Sequence, residues 1–383
     1  MEHKPVRDQV RHVRLHGPGP SDVSDSVLEA LSSRTIGHLD PDFLRIMDQT
    51  QEMLRQVFQT KNRMTIPISG TGSSGMESLV ANLVEPGDRV LVVRNGVFGG
   101  RIADEISRFG GEAVDINVEW GKTVELDQVK QALSGAGCQG LFLVHAETST
   151  GALQPHMKEI GQLVHEHDAL FLADVVTSLG GTEVKVDEWG IDAAYSGTQK
   201  CLSVPPGLSP ITLNDRAMEK VRSRRTPVES WYFDLTMIEH YWSEGGARKY
   251  HHTAPVNMIF ALHEGLRLIL EEGLDAVFAR HKRNAAALQA GLEELGFTYI
   301  VGKPEQRLPM LHAVFLPEGA EEGKLRKRLR SECNLEVGGG LGDFAGKAWR
   351  VGLMGHSCRE EKVHALLRDI RSVLESEPEG SGP

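Results

Sequence analysis

From about residue 64 the chain alternates short apolar runs with longer stretches whose apolar positions recur every three or four residues. MTIPIS precedes SSGMESLVANLVEPGD, RVLVVRN precedes FGGRIADEISRFG, and LFLVHAE precedes MKEIGQLVHEHD, with LFLADVV closing the series. This alternation predicts βαβ units, because parallel strands need a crossover long enough to hold a helix. RVLVVRN and ALFLADVV are apolar without a polar face, as expected of central strands covered by helices on both sides. The predicted class is α/β, built on a mainly parallel sheet.

Helical spacing then dominates in VNMIFALHEGLRLILEEG and LDAVFARHKRNAAALQAGLEELG, with Gly273 and Gly296 at their ends. LHAVFLPEG, a helical EEGKLRKRLRSEC, AWRVGLM and EEKVHALLRDIRSVLES predict a smaller C-terminal α+β domain. The expected division is an N-terminal arm over 1–14, a large domain over 15–272, a small domain over 273–377 and a frayed tail over 378–383. The 383 residues are enough for two such cores, and no internal repeat is visible.

Composition adds exclusions. With 40% hydrophobic and 25% charged residues the chain is an ordinary globule, neither disordered nor fibrous. A formal charge of −11 argues against general affinity for nucleic-acid backbones. Arg222, Arg224 and Arg225 form the densest basic spot, and without interleaved aromatic residues they read as a solvated loop. Cys138, Cys201, Cys333 and Cys358 are scattered and form no Cys-x-x-Cys pair, so reduced thiols are expected and no metal site is signalled. The first residues lack the apolar core of a signal peptide, and no run approaches the ~18 apolar residues of a membrane span. The expected setting is cytoplasmic, away from membranes.

Three landmarks carry chemistry. Ser69-Gly-Thr-Gly-Ser-Ser-Gly75 lies between a predicted strand and a predicted helix, where free backbone N–H groups and the helix dipole suit a phosphate. Read alone, the loop equally fits a tight strand-to-helix connection with Ser caps. Gly70, Gly72 and Gly75 also satisfy G-x-G-x-x-G, the dinucleotide fingerprint. The next strand ends in Arg94-Asn95, however, where NAD would want an acid about 20 residues on, and only NADP stays formally open. The second landmark is Asp174, closing the most apolar strand; an acid there needs a cationic partner, or else serves as a helix cap or metal ligand. Lys200, 26 residues later in Tyr195-Ser-Gly-Thr-Gln-Lys200, is the third. A lysine at a strand end can be stripped of water and kept neutral enough to form an imine. Phosphate loop, acid and lysine together match the three needs of pyridoxal phosphate.

GPGPSDV, SGTGSSGMESLVANLVEPGD, NGVFGGR, HAETSTGALQP, DVVTSLGGTEVKVDEWGID, YSGTQKCLSVPPG, KYHHTAPV and RVGLMG occur in order from about residue 15 to 355. Together they resemble the class V aminotransferases, and look closest to the alanine–glyoxylate and serine–pyruvate branch. The resemblance implies the type I fold of pyridoxal phosphate (PLP) enzymes, with a seven-stranded-type sheet and a small C-terminal domain. It makes Lys200 the Schiff-base lysine, Asp174 the partner of the pyridine nitrogen, and Phe98 and Val176 the residues on the two ring faces. Phe98 stands where close relatives often have Trp. Thr71, Gly72, Ser73 and Gln199 are implied at the phosphate, although some relatives carry His in place of Ser73. Tyr250 and Thr253 are implied to reach the phosphate of a neighbouring subunit, which makes the protein a homodimer with shared sites. His251 and His252, in an extended segment, should face opposite ways and hold no common ion. Arg350 matches the arginine that takes the substrate carboxylate, for which a planar fork is the chemical reason. Gly17, Gly19 and Thr148 are placed at the substrate end, Thr148 also near the cofactor.

The implied reaction moves an amino group from alanine or serine to glyoxylate or pyruvate by a ping-pong cycle. Other class V donors, ureidoglycine or hydroxykynurenine, stay open beside it. A cysteine desulfurase would want His next to the lysine and a Cys in a mobile loop, but Gln199 stands there and Cys333 lies in RSECNLEV. A purely binding protein would have no need of Arg350.

Overall fold

The computed structural model describes residues 5–243 and 248–375. The first four residues of the expected arm and the expected tail at 378–383 lie outside them. Seven strands form the main sheet: β1 (Met64–Ser69), β2 (Arg89–Arg94), β3 (Glu112–Asn117), β4 (Gly140–Val144), β5 (Leu170–Asp174), β6 (Ala193–Tyr195) and β7 (Leu208–Leu213). Their order is β1-β7-β6-β5-β4-β2-β3, and only β7 runs antiparallel to its neighbours. Every residue of β4, β5 and β7 is buried, which is why these runs carry no polar face.

Helices α1 (Pro41–Phe58), α2 (Gly72–Leu83), α3 (Val97–Arg108), α4 (Leu126–Ala136) and α5 (Met157–Glu166) flank this sheet or connect its strands. After α6 (Val256–Glu272), Gly273 turns the chain with φ +86° into α7 (Leu274–Glu294). The expected boundary falls at this joint, yet α7 serves both units. Val277 and Phe278 pack into the main core, and Leu288 and Leu292 into the second. The second unit is a four-stranded antiparallel sheet, β8 (Thr298–Tyr299), β9 (Leu311–Phe315), β10 (Gly338–Gly339) and β11 (Ala348–Gly352), ordered β8-β9-β11-β10, with helices Glu322–Glu332 and Glu360–Glu375.

One long-range pairing ties the chain's start to this second unit. Arg14 and Leu15 run parallel to Leu335 and Glu336, and the Gly352 N–H donates to the His16 carbonyl at 2.7 Å. The residues from 15, expected to open the large domain, therefore first lie on the small unit, drawn there by an edge backbone that no local pattern announces.

All parallel strands deliver their carboxyl ends to one rim of the sheet, where open α/β sheets place ligands. At that rim α2 lies against β6 and β7 through Gly75, whose missing Cβ would stand 2.1 Å from Ser209 Oγ and 3.0 Å from Tyr195 Cβ. The third glycine of the G-x-G-x-x-G pattern thus serves close packing. Gly75→Ala forces Ser209 from its 2.5 Å hydrogen bond to the Ser196 carbonyl. Overpacking of ~1–3 kcal/mol should outweigh the ~1 kcal/mol that Ala gains over Gly in a helix. A lowered urea midpoint at unchanged m is the expected result, and an unchanged midpoint would show that α2 can simply move away.

Candidate active site

Asp174 and Tyr195 are the last residues of adjacent strands and sit opposite each other in register. The Tyr195 hydroxyl donates to one carboxylate oxygen of Asp174, and the Val176 N–H donates to the other at 2.8 Å. Both side chains are buried. Loss of water pushes the Asp174 carboxyl up to about 6, against the pull of these two donors. Burial, then the Asp174 charge, drives the Tyr195 phenol far above its ordinary range and keeps it a donor. A cation facing Asp174 would restore its ionised form.

Lys200 follows β6 through the short segment Ser196–Gln199 and reaches the same rim. Loss of water, then the charge of Arg350, pushes its amine down to about 8, with Asp174 pulling the other way. Its Nζ donates to the Pro18 carbonyl. Gly19, with φ +118°, passes so close that a Cβ would meet Nζ at 2.6 Å. Only glycine serves there, both for the dihedral and for the contact.

These groups open on a cavity of about 210 Å³ that Gly72, Ser73, Phe98 and Thr148 line together with Asp174, Val176, Gln199 and Lys200. The eight were expected from the sequence, and the fold brings them together. Thr71 is the N-cap of α2 and lies outside this lining; its hydroxyl makes no cap hydrogen bond. Gly72 faces the opposite wall, where a Cβ would make only ordinary contact with Gly197 Cα and Val176 Cγ2, each at 3.6 Å. The buried Gln199 Oε1 has no partner among the described residues. The Gln199 amide, the open N-terminus of α2 and an exposed Ser73 form a polar end to the cavity, and a desolvated acid and a desolvated amine stand deeper within it. The donor set fits pyridoxal phosphate: phosphate at the helix start, aldehyde toward Lys200, ring nitrogen toward Asp174.

Arg350 stands outside the cavity lining, on β11, with Nε donating to the Gly339 carbonyl at 2.8 Å. Burial pushes its guanidinium down to about 10, and the described residues offer it no ion-pair partner. Gly17 is also outside, against Gly338 and Gly352. Tyr250 and Thr253 lie outside the lining of their own chain's cavity; their hydroxyls lie 3.3 Å apart on the surface, with Tyr250 58% exposed. The expectation for the histidine tandem is corrected: the segment is a loop, not a strand, and Nδ1 of His251 lies 2.8 Å from Nδ1 of His252. His251 stacks on Trp231, and His252 meets Ser69 at 3.0 Å. Among the described residues no three His, Cys, Asp or Glu side chains converge on a metal position, and no helix is long and apolar enough to cross a membrane.

Sequence reasoning missed Tyr195, Arg101 and Glu147. Arg101 follows Phe98 by one turn of α3 and sets its guanidinium 4.9 Å from the ring centroid, a pairing that helical spacing could have suggested. Tyr195 was within reach through strand register alone. Glu147 gives no local signal.

The profile of the family described as aminotransferase class-V matches residues 22–349. The chain belongs to the class V aminotransferases. This class V enzyme is 40% identical to the (S)-ureidoglycine–glyoxylate transaminase of Bacillus subtilis strain 168, over 93% of this chain and 89% of that one. It is also 40% identical to the alanine–glyoxylate aminotransferase of Rattus norvegicus, over 95% and 88%. The crystal structure of an alanine–glyoxylate aminotransferase from Nostoc sp. superposes with a TM-score of 0.94 at 46% identity, covering 98% of both chains. The class V enzyme is accordingly a PLP-dependent transaminase of fold type I, and the nicotinamide reading of the glycine loop falls.

Because the folded state holds the Lys200 amine near 8 against an ordinary 10.5, folding disfavours its protonated form. The folded protein therefore loses stability as pH falls from 10.5 toward 8, and the full loss is present at neutral pH. Cofactor-free Lys200→Met should melt above the cofactor-free wild type at neutral pH, and the gap should close as pH is raised through that window. A gap independent of pH would mean that the lysine is not desolvated.

Proposed function

We propose that the protein transfers an amino group from a small amino acid, alanine or serine, to a small 2-oxo acid, glyoxylate or pyruvate. The observation that carries this reading is Arg350, a partly buried guanidinium with no carboxylate partner among the described residues, close enough for its charge to depress the Lys200 amine. A buried unpaired cation is costly, and a substrate carboxylate would relieve it. The backbone of Pro18 and Gly19 stands against the Lys200 amine on one side. The names of the relatives above, alanine–glyoxylate and ureidoglycine–glyoxylate, share glyoxylate and differ in the donor.

When bound, pyridoxal phosphate supplies an aldehyde for the amino group and a conjugated ring to hold an electron pair. Lys200 holds the cofactor between turnovers and, once its amine is free, carries a proton from the substrate Cα. A desolvated amine, kept below its ordinary range, is suited to take and return that proton. Asp174, oriented by Tyr195 and the Val176 N–H, keeps a proton on the ring nitrogen. Arg350 orients donor and acceptor in turn, so one site serves both halves of a ping-pong cycle.

The site is also proposed to be shared between two copies in a homodimer in the cytoplasm. Tyr250 and Thr253 lie outside the lining of their own cavity, and Trp231 and Tyr250 are large aromatic residues left 58% accessible, as a partner surface would need. Subunits carrying Lys200→Ala, mixed with subunits carrying Tyr250→Phe and Thr253→Ala, should recover activity above either parent through hybrids with one intact site. No recovery after verified subunit exchange would remove the shared site.

The function itself is tested by single-turnover rates with alanine, serine, (S)-ureidoglycine and a simple alkylamine, in wild type and Arg350→Lys. Alanine or serine should react fastest in wild type. The variant should lose about ten- to two-hundredfold in kcat/KM for the amino acids, the equivalent of a charge-assisted hydrogen bond, and nothing for the alkylamine. Ureidoglycine outpacing both would replace the donor in this reading, and equal losses for all substrates would make Arg350 structural.

A further inference from the structure

Glu147 is a fully buried acid that the reaction described above does not use. It follows β4 in the segment leading to Thr148, and its carboxylate is surrounded by donors. Oε1 accepts from the Ser149 N–H at 3.0 Å and the Ser149 hydroxyl at 2.5 Å. Oε2 accepts from the Phe98 N–H at 3.1 Å, and the Gly99 N–H also reaches the carboxylate. The Val97 N–H is taken by Ser149 Oγ at 3.0 Å. Helix α3 has neither an acid in its first turn nor a side-chain cap at Gly96, so its opening N–H groups are met by Glu147 and Ser149 from another element. Gly96 makes the approach feasible, since a Cβ there would stand 2.4 Å from Glu147 Cδ.

We propose that Glu147 is a positioning residue of the cofactor pocket: by gathering the first N–H groups of α3, its buried carboxylate fixes where the Phe98 ring stands in the cavity wall that would face the cofactor. A cap from within the loop would have stabilised α3 equally well. A cap from the β4 connection instead ties the start of α3 to the segment that presents Thr148, so both cavity walls share one anchor. Arg101 holds the Phe98 ring from the side of α3. The inference rests on the PLP-dependent chemistry of the family, not on the choice of amino donor.

The test is the affinity of cofactor-free protein for pyridoxal phosphate, with the induced circular dichroism of the bound cofactor as a second readout. Glu147→Gln keeps the shape but replaces one acceptor oxygen with an NH₂ in a site where the Ser149, Phe98 and Gly99 N–H groups can only donate. Its Kd for the cofactor should rise about tenfold, with an altered dichroic band. In a Phe98→Ala background the same change should cost less than about twofold, because the ring it positions is gone. Equal losses in both backgrounds, or an unchanged Kd and band in folded Glu147→Gln, would overturn the proposal. If Glu147→Gln does not fold, Ser149→Ala, which removes one donor to Glu147 and the acceptor for Val97, takes its place in the same cycle and is read by the same criteria.

Discussion

The site depends on charge held out of water at the end of a buried strand. Asp174 closes β5, all of whose residues are buried, and an ion in such a place costs several kcal/mol unless it is compensated. Tyr195 and the Val176 N–H offset part of that cost, and the rest falls to a cation across the cavity. Lys200 and Arg350 carry the complementary problem, two desolvated cations whose charges oppose each other. A protonated ring nitrogen facing Asp174 and a substrate carboxylate facing Arg350 would answer these demands.

Much of the fold was legible because its central strands are covered on both faces and read as unbroken apolar runs. What escaped has identifiable causes. Strand β7 contains Pro210, which usually marks an edge or a break, yet here it lies between β1 and β6, and its carbonyl still accepts from Ser196. Helix α1 carries its start signal openly, with Asp40 capping and Pro41 in its first turn, but it precedes the alternating region on which the reading was built. The pairing of Arg14 and Leu15 with Leu335 and Glu336 joins distant segments, and two residues carry no periodicity.

The candidate site divides the same way. Asp174, Lys200 and the glycine loop could be read as chemistry because each sits where a strand ends, and strand ends were visible. Tyr195 became a partner of Asp174 only through register, and Glu147 only through the packing of Gly96 against it. The roles of Tyr250 and Thr253 rest on resemblance alone, because a second chain lies beyond any local pattern. The histidine tandem shows the limit of alternation arguments: they hold for strands, and this segment is a loop.

The segment from Arg14 to Ser21 spans the two units in a few residues. It begins paired beside the sheet that carries Arg350 and ends with the Ser21 hydroxyl on the carbonyl of Lys200. Between these points the Pro18 carbonyl accepts from the lysine amine itself. One short run of chain thereby joins the unit that carries Arg350 to Lys200. The backbone that packs against the smaller unit is thus the same backbone that meets the lysine amine.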